Sequence, residues 1–183
     1  MGFEWGRDGS RRAKRLERQF AFKFLPHNVF EEEVLSEGDP ESIERGRHFR
    51  DKIEVSYLVA SSVRWLGREV GRGLFAEEDI EKGAYVGEYT GIVRRNDIRR
   101  YLEPLNNYCF KYPVDRFVID ATQGHLTRFI NHSANPNLTP VYAFLEGHYH
   151  LIFIANQYIS KGTQLTYDYG QNYWHLRGKP VFI

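Results

Sequence analysis

The sequence predicts a mostly β domain made of several small antiparallel sheets with short helices. From residue 53 onward, short apolar runs rich in aromatic and β-branched residues are interrupted by glycine about every ten residues, a pattern typical of many short strands. The predicted strands in the first half of this region are residues 54–59, 62–66 and 84–89.

Two hairpins are predicted in the second half of the chain. One turns near residues 113–116, and the other turns at Glu146-Gly147 between two alternating apolar segments. Residues 96–101 are predicted to form a helical turn that ends before Pro104.

The N-terminal part differs in composition. Residues 8–20 are predicted to form a basic helix, which serves either as a solvated face or as an arm that docks on a partner. Its cationic residues are Arg11, Arg12, Lys14, Arg15 and Arg18. Residues 31–44 are mostly acidic and contain Gly38 and Pro40, so we expect a loop or linker there. The core is expected to begin after this segment.

Length and charge limit the possible functions. The chain has 183 residues, enough for one domain with an extension. Its formal net charge is +1, from 25 basic and 24 acidic residues, so direct binding to nucleic acid is not expected. We see no apolar run long enough for a signal peptide or a membrane span. The sequence therefore predicts a soluble protein, cytoplasmic or nuclear, or secreted without a signal peptide.

Cysteine content excludes two kinds of site. Cys109 is the only cysteine in the chain, so neither an internal disulfide nor a cysteine-rich zinc site can form. No metal site is predicted.

A glycine motif lies at residues 71–76, Gly-Arg-Gly-Leu-Phe-Ala. This motif also fits the G-x-G-x-x-A fingerprint of dinucleotide-binding folds, but that fingerprint requires the glycines to open a long helix. Here the following segment is short, Gly83 ends it and a strand resumes, so no βαβ unit fits. Considered alone, the motif is equally compatible with a simple turn.

Two further motifs are dense in polar and aromatic residues, a composition that is more typical of a functional site than of a hydrophobic core. They are Arg-Phe-Ile-Asn-His-Ser-Ala-Asn-Pro-Asn at residues 128–137 and Leu-Thr-Tyr-Asp-Tyr-Gly at residues 165–170. With residues 71–76, they occur in the order and at about the spacing seen in SET-domain protein lysine methyltransferases. The chain resembles this family over residues 55–170.

The resemblance implies that S-adenosylmethionine is the cofactor. It implies that the side-chain amide of Asn131 faces the methionyl end and that backbone groups of His132 face the adenine. The glycines would allow the backbone to approach the cofactor closely. The residues implied to bind the cofactor are Gly71, Arg72, Gly73, Tyr108, Arg128, Asn131 and His132.

The resemblance also assigns three catalytic tyrosines. Tyr169 would lie beside the transferred methyl group, and Tyr89 would form an aromatic wall of the lysine channel. Tyr167 occupies a position where family members carry tyrosine or phenylalanine, and tyrosine leaves less room around a methylated amine. We therefore expect mono- or at most dimethylation. No strong base is needed, and Asp168 is expected to point away from Tyr167 and Tyr169.

The chain departs from the family where many members bind zinc. Ala134 replaces the usual cysteine after Asn-His-Ser, and the tail has no cysteine either. Tyr173 and Trp174 are candidates for closing the site and covering the adenine, although simple core packing of the tail is an alternative. Trp174 is included among the predicted cofactor-binding residues.

The predicted organisation is an extension at residues 1–54, the SET domain at 55–170 and an aromatic tail at 171–183 that closes the site. The family fold further implies a C-terminal pseudoknot in which the two signature motifs meet. The predicted function is S-adenosylmethionine-dependent methylation of a lysine in a histone or histone-like protein. The alternative is a catalytically silent module of the same fold that binds lysine-containing peptides. The oligomeric state is left open.

Overall fold

The computed structural model describes residues 9–96 and 107–175. Within them, the strands form four small sheets with the orders β1-β5-β7-β6, β4-β10-β9, β2-β3 and β8-β11. The strands are β1 (Val29–Phe30), β2 (Ser61–Gly67), β3 (Gly71–Ala76), β4 (Tyr85–Glu88), β5 (Ile92–Arg95), β6 (Cys109–Lys111), β7 (Phe117–Asp120), β8 (Asn131–His132), β9 (Leu138–Leu145), β10 (His148–Ala155) and β11 (Thr166–Tyr167).

The predicted fold class is confirmed. Most strand pairs are antiparallel, whereas β1 with β5 and β8 with β11 are short parallel pairs. These parallel pairs join segments that are distant along the chain, because parallel neighbours cannot be connected by a tight turn.

Both predicted hairpins are confirmed. Strands β9 and β10 pair along their whole length, and the turn between them places Glu146 at φ 51° and Gly147 at φ 85°. Two consecutive positive φ angles are those of a type I′ turn, whose twist matches that of the flanking strands. Strands β6 and β7 form the other hairpin. The predicted helical turn at 96–101 lies, apart from its first residue, outside the described residues.

The helices confirm one prediction and correct two. Helix α1 (Gly9–Phe20) lies within the predicted basic segment. Helix α2 (Pro40–Glu54) replaces the end of the predicted loop. The strand predicted at 54–59 does not form, because α2 extends to Glu54 and a turn follows at Val55 and Ser56. The carboxylate of Asp39 accepts from the backbone N–H of Ser42 at 3.0 Å, and Pro40 takes the first helical turn. The segment that contains Gly38 and Pro40 is therefore a helix start.

The expectation that the core begins after residue 44 is wrong. Phe22, Phe24 and Val34 belong to the main buried cluster, together with residues of β3, β4, β7 and β10. Helix α2 packs on β9 and buries Ile53 in a second cluster with Tyr85 and Ile152. The N-terminal region is thus packed into the same body as the motifs.

Candidate active site

A cavity of about 410 Å³ opens where the three sequence motifs come together. Its volume lies in the range of small-molecule sites. It is lined by Glu69, Val70, Gly71, Arg72, Asn107, Tyr108, Arg128, Phe129, Asn131, His132, Tyr169, Tyr173 and Trp174. Of the predicted cofactor-binding residues, every one except Gly73 lines this cavity.

The two signature motifs meet through parallel pairing of β8 with β11, as the predicted pseudoknot requires. Asn131 is opposite Thr166 and His132 is opposite Tyr167, and the N–H of Ser133 donates to the carbonyl of Tyr167 at 3.2 Å. This pairing brings residues of both motifs to one wall of the cavity.

Asn137 stabilises this junction between the two signature motifs, although the sequence predicted no role for it. Its side chain is 7% exposed. The amide Nδ2 donates to the carbonyl of Gln164 at 2.8 Å, and Oδ1 accepts from the N–H of Thr166 at 2.9 Å. One side chain therefore satisfies two backbone groups near or within the other signature motif. The only sequence feature that points to Asn137 is its place as the last residue of the motif at 128–137.

The two glycines of the first motif are needed for different physical reasons. Gly71 has φ +79°, in the left-handed region that favours glycine. A Cβ on Gly73 would lie 2.7 Å from Leu66 Cδ1 and 3.1 Å from Asn131 Nδ2. The absence of a side chain at Gly73 thus makes room for protein groups, including the amide of Asn131.

Asn131 and His132 are both anchored by backbone groups. Asn131 Nδ2 donates to the carbonyl of Arg72 at 3.0 Å, which links the second motif to the first. His132 Nδ1 accepts from the N–H of Tyr169 at 3.2 Å and lies 3.5 Å from the carboxylate oxygen Oδ1 of Asp168. These bonds fix the orientation of both side chains at the cavity.

Arg128 is buried against aromatic rings. Its side chain carries a guanidinium carbon 3.8 Å from the ring centroid of Tyr108, and one terminal nitrogen donates to the carbonyl of Thr122 at 2.6 Å. Within the described part of the chain, its buried Nε has no hydrogen-bond partner. A buried donor of this kind suits a ligand that carries acceptor oxygens.

Glu69 also lines the cavity, in the turn between β2 and β3. Its exposed carboxylate adds an acceptor for amine or hydroxyl donors at the rim. Sequence reasoning missed this residue because a single glutamate in a charged turn carries no distinguishing pattern.

Tyr167 and Tyr169 lie side by side, with ring centroids 4.7 Å apart. The hydroxyl of Tyr169 donates to the carbonyl of Ile130 at 2.9 Å. Burial, followed by the neighbouring tyrosines, raises the pKa of both phenols well above 10.0, so both remain neutral donors. The side chain of Asp168 is 64% exposed and accepts from the N–H of Gly170, so it points away from the two tyrosines, as expected.

Tyr89 lies behind the cavity wall. Its ring is 3% exposed, and its hydroxyl donates to the carbonyl of Tyr108 at 2.8 Å. Phe110 lies between the two predicted channel tyrosines, with its centroid 5.8 Å from that of Tyr89 and 5.9 Å from that of Tyr167. Tyr89, Phe110 and Tyr167 therefore form an aromatic cluster behind the cavity, and none of the three lines it.

The beginning of the tail forms helix α3 (Gln171–His175) at the cavity mouth. The rings of Tyr169 and Trp174 are nearly parallel, at 12° with centroids 6.1 Å apart, and Tyr173 contacts Tyr169 edge-on at 4.6 Å. Trp174 also meets the ring of His132 at 5.0 Å. Both predicted closing residues thus line the cavity, whereas the rest of the tail lies outside the described residues.

Residues 9–96 and 107–175 lack two kinds of feature. No group of three or more His, Cys, Asp or Glu side chains there could hold a metal ion. None of the helices there combines the length and the apolar character needed to cross a bilayer.

Known proteins are similar to this chain in sequence. Residues 71–170 match the family described as SET domain, which is more than half of the chain, so this chain belongs to the SET-domain family. Among curated relatives, the histone-lysine N-methyltransferase trithorax of Drosophila virilis is 40% identical over 105 residues, or 54% of this chain and 3% of that protein. The human histone-lysine N-methyltransferase EHMT1 is 33% identical over 145 residues, or 73% of this chain and 11% of that protein.

Solved structures agree in fold. A crystal structure of an active polycomb repressive complex 2 in the basal state matches with a TM-score of 0.62 and 29% identity, over 73% of this chain and 19% of that one. The chain spans only a small part of the relatives that it matches.

Proposed function

We propose that this chain is an S-adenosylmethionine-dependent protein lysine N-methyltransferase. The observation that carries the proposal is the position of Tyr169. Its hydroxyl is held by Ile130 at a cavity that is also lined by Arg72, Asn131 and Trp174. A module that only binds peptides would not need this combination of a ligand cavity and an oriented, partly buried phenol.

The cavity residues fit the chemistry of the cofactor. The buried Nε of Arg128, which lacks a hydrogen-bond partner among the described residues, and the cation of Arg72 suit a carboxylate. The indole of Trp174 and the ring of His132 offer faces for a flat heterocycle. The carboxylate of Glu69 suits ribose hydroxyls or an ammonium group. When bound, S-adenosylmethionine supplies an electrophilic methyl group on a sulfonium.

The protein side of the reaction requires a neutral amine. A lysine side chain with a pKa of about 10.4 is almost fully protonated at neutral pH, and its deprotonation costs about 4–5 kcal/mol. The aromatic wall of Tyr89, Phe110 and Tyr167 favours the neutral form by desolvation. Because Tyr167 and Tyr169 remain protonated phenols, they orient the amine by hydrogen bonds and do not act as bases.

The substrate class follows from the relatives, several of which are named histone-lysine N-methyltransferases. We infer that the substrate is a lysine in a histone or histone-like protein, which would place the enzyme in the nucleus. We further infer that Tyr167 restricts the product to mono- or dimethyl-lysine, because its hydroxyl occupies space that a third methyl group needs.

The test is transfer of radiolabelled methyl groups from S-adenosylmethionine to a panel of histones and small basic proteins. We expect label on lysine with the wild type and a loss of at least about tenfold in kcat with Tyr169→Phe, since the variant lacks the hydroxyl oxygen that Ile130 orients and that would accept a hydrogen bond from the amine. Tyr158→Phe is the matched control, because Tyr158 is 53% exposed and does not line the cavity.

Equal loss of activity in Tyr158→Phe and Tyr169→Phe would reject the role of the Tyr169 hydroxyl. Binding of histone peptides without S-adenosylhomocysteine binding or methyl transfer would favour the silent peptide-binding module instead.

A further inference from the structure

Both arginines that line the cavity contact aromatic rings from outside the family-matched region, and Arg128 also lies 3.8 Å from the ring centroid of Tyr108 inside that region. The guanidinium carbon of Arg72 lies 5.4 Å from the ring centroid of Phe20 and 5.8 Å from that of Trp65. The guanidinium carbon of Arg128 lies 4.8 Å from the ring centroid of Phe22. Phe20 ends helix α1 and Phe22 follows it, far along the chain from the motifs.

The same two phenylalanines also contact a third cavity residue. The ring of Phe129 lies 5.5 Å from that of Phe20 and 5.8 Å from that of Phe22. Phe22 is 9% exposed, and Phe20 is partly buried against the same core. The segment therefore forms a packed aromatic layer directly behind Arg72, Arg128 and Phe129.

This layer has a consequence for the charge at the cavity. An arginine side chain has several rotatable bonds, and holding it in one geometry costs conformational entropy. An aromatic face opposite the guanidinium restrains it and contributes a cation–π attraction, which is stronger where the contact is desolvated. The two cations are thus oriented before a ligand binds, which lowers the entropic cost of binding.

We propose that Phe20 and Phe22 are positioning residues of the cofactor site, acting through Arg72 and Arg128. This inference rests on the proposed function and adds that the N-terminal segment sets the affinity for the cofactor. Neither phenylalanine lines the cavity, so their effect is transmitted by the two guanidinium groups and by Phe129.

The experiment compares substitutions that keep apolar volume but remove the aromatic face. Phe20→Leu and Phe22→Leu are the test variants. Phe20→Tyr is a conservative variant that keeps an aromatic ring at the partly buried position. Phe24→Leu is the matched control, since Phe24 belongs to the same segment and is 6% exposed, but its ring contacts His125, which does not line the cavity. The measurements are the Kd of S-adenosylhomocysteine by calorimetry, the KM and kcat for S-adenosylmethionine, and the Tm.

We expect Phe20→Leu and Phe22→Leu each to raise the Kd and the KM by about fivefold, with kcat at saturating cofactor within about twofold of wild type. Phe20→Tyr should keep the wild-type Kd, because the aromatic face is retained. Phe24→Leu should lower the Tm without changing the Kd. A wild type that binds S-adenosylhomocysteine, with the same Kd in both leucine variants, would overturn this inference alone. A wild type that neither binds it nor transfers methyl groups would overturn the proposed function and this inference with it.

Discussion

Replacing Asn137 with alanine tests whether one buried side chain holds the two signature motifs together. The substitution removes the hydrogen bonds to the carbonyl of Gln164 and from the N–H of Thr166, at 2.8 and 2.9 Å. It also leaves both backbone groups without that partner in a buried junction. A buried donor or acceptor left unsatisfied costs about 1–3 kcal/mol, so two such groups give a loss of about 2–6 kcal/mol.

This loss is a large fraction of the free energy of unfolding of a typical domain, which is about 5–15 kcal/mol. For a chain of this size, a loss of about 3 kcal/mol lowers the Tm by about 6–12 °C. Because the junction aligns Asn131 with Thr166 and His132 with Tyr167, we also expect weaker binding of S-adenosylhomocysteine at temperatures where the variant is folded.

The assay is urea denaturation followed by tryptophan fluorescence, with calorimetry for ligand binding. Asn135→Ala is the control, because Asn135 lies in the same loop with an exposed side chain, and its loss should stay within about 0.5 kcal/mol. An Asn137→Ala variant within about 1 kcal/mol of wild type would refute the reasoning, since the two hydrogen bonds would then have no net stabilising role.

Three further predictions concern the product, the closing residues and pH. Tyr167→Phe should shift the products toward higher methylation states by mass spectrometry, because the hydroxyl that fills the space of an added methyl group is removed; an unchanged product ratio would contradict this. Trp174→Ala should raise the Kd of S-adenosylhomocysteine by about tenfold, since the stacked indole at the cavity mouth is lost; unchanged affinity and turnover would mean that the tail only packs on the core. Burial lowers the pKa of His150, but the charge of Glu88 and a hydrogen bond to it at 2.8 Å outweigh burial, so the pKa is raised above 6.5. The stabilisation by protonated His150 is therefore fully present below pH 6.5 and is lost as the pH rises through the raised value. The difference in unfolding free energy between wild type and His150→Gln should narrow from pH 6 to pH 9, and a constant difference would contradict the pairing.

Local signals in the sequence were sufficient for the elements that depend on near neighbours. The hairpin at Glu146-Gly147 follows from a glycine between two alternating apolar segments, although the positive φ of Glu146 is not signalled by its residue type. The fold class follows from repeated short strands. The helix start at Asp39 and Pro40 was missed because proline and glycine also mark loops, and only the packing of α2 on β9 distinguishes the two outcomes.

By itself, the sequence determined the motifs, their order and the cavity residues that belong to them, because those residues carry distinctive chemical groups at recognisable spacings. Only the tertiary structure decided what supports them. Asn137, Phe20, Phe22 and Phe110 act through partners that are distant along the chain, and an asparagine or phenylalanine has no periodicity that reveals such a partner. Contacts of this kind arise when the segments pack, so they are properties of the folded chain and not of any local window of sequence.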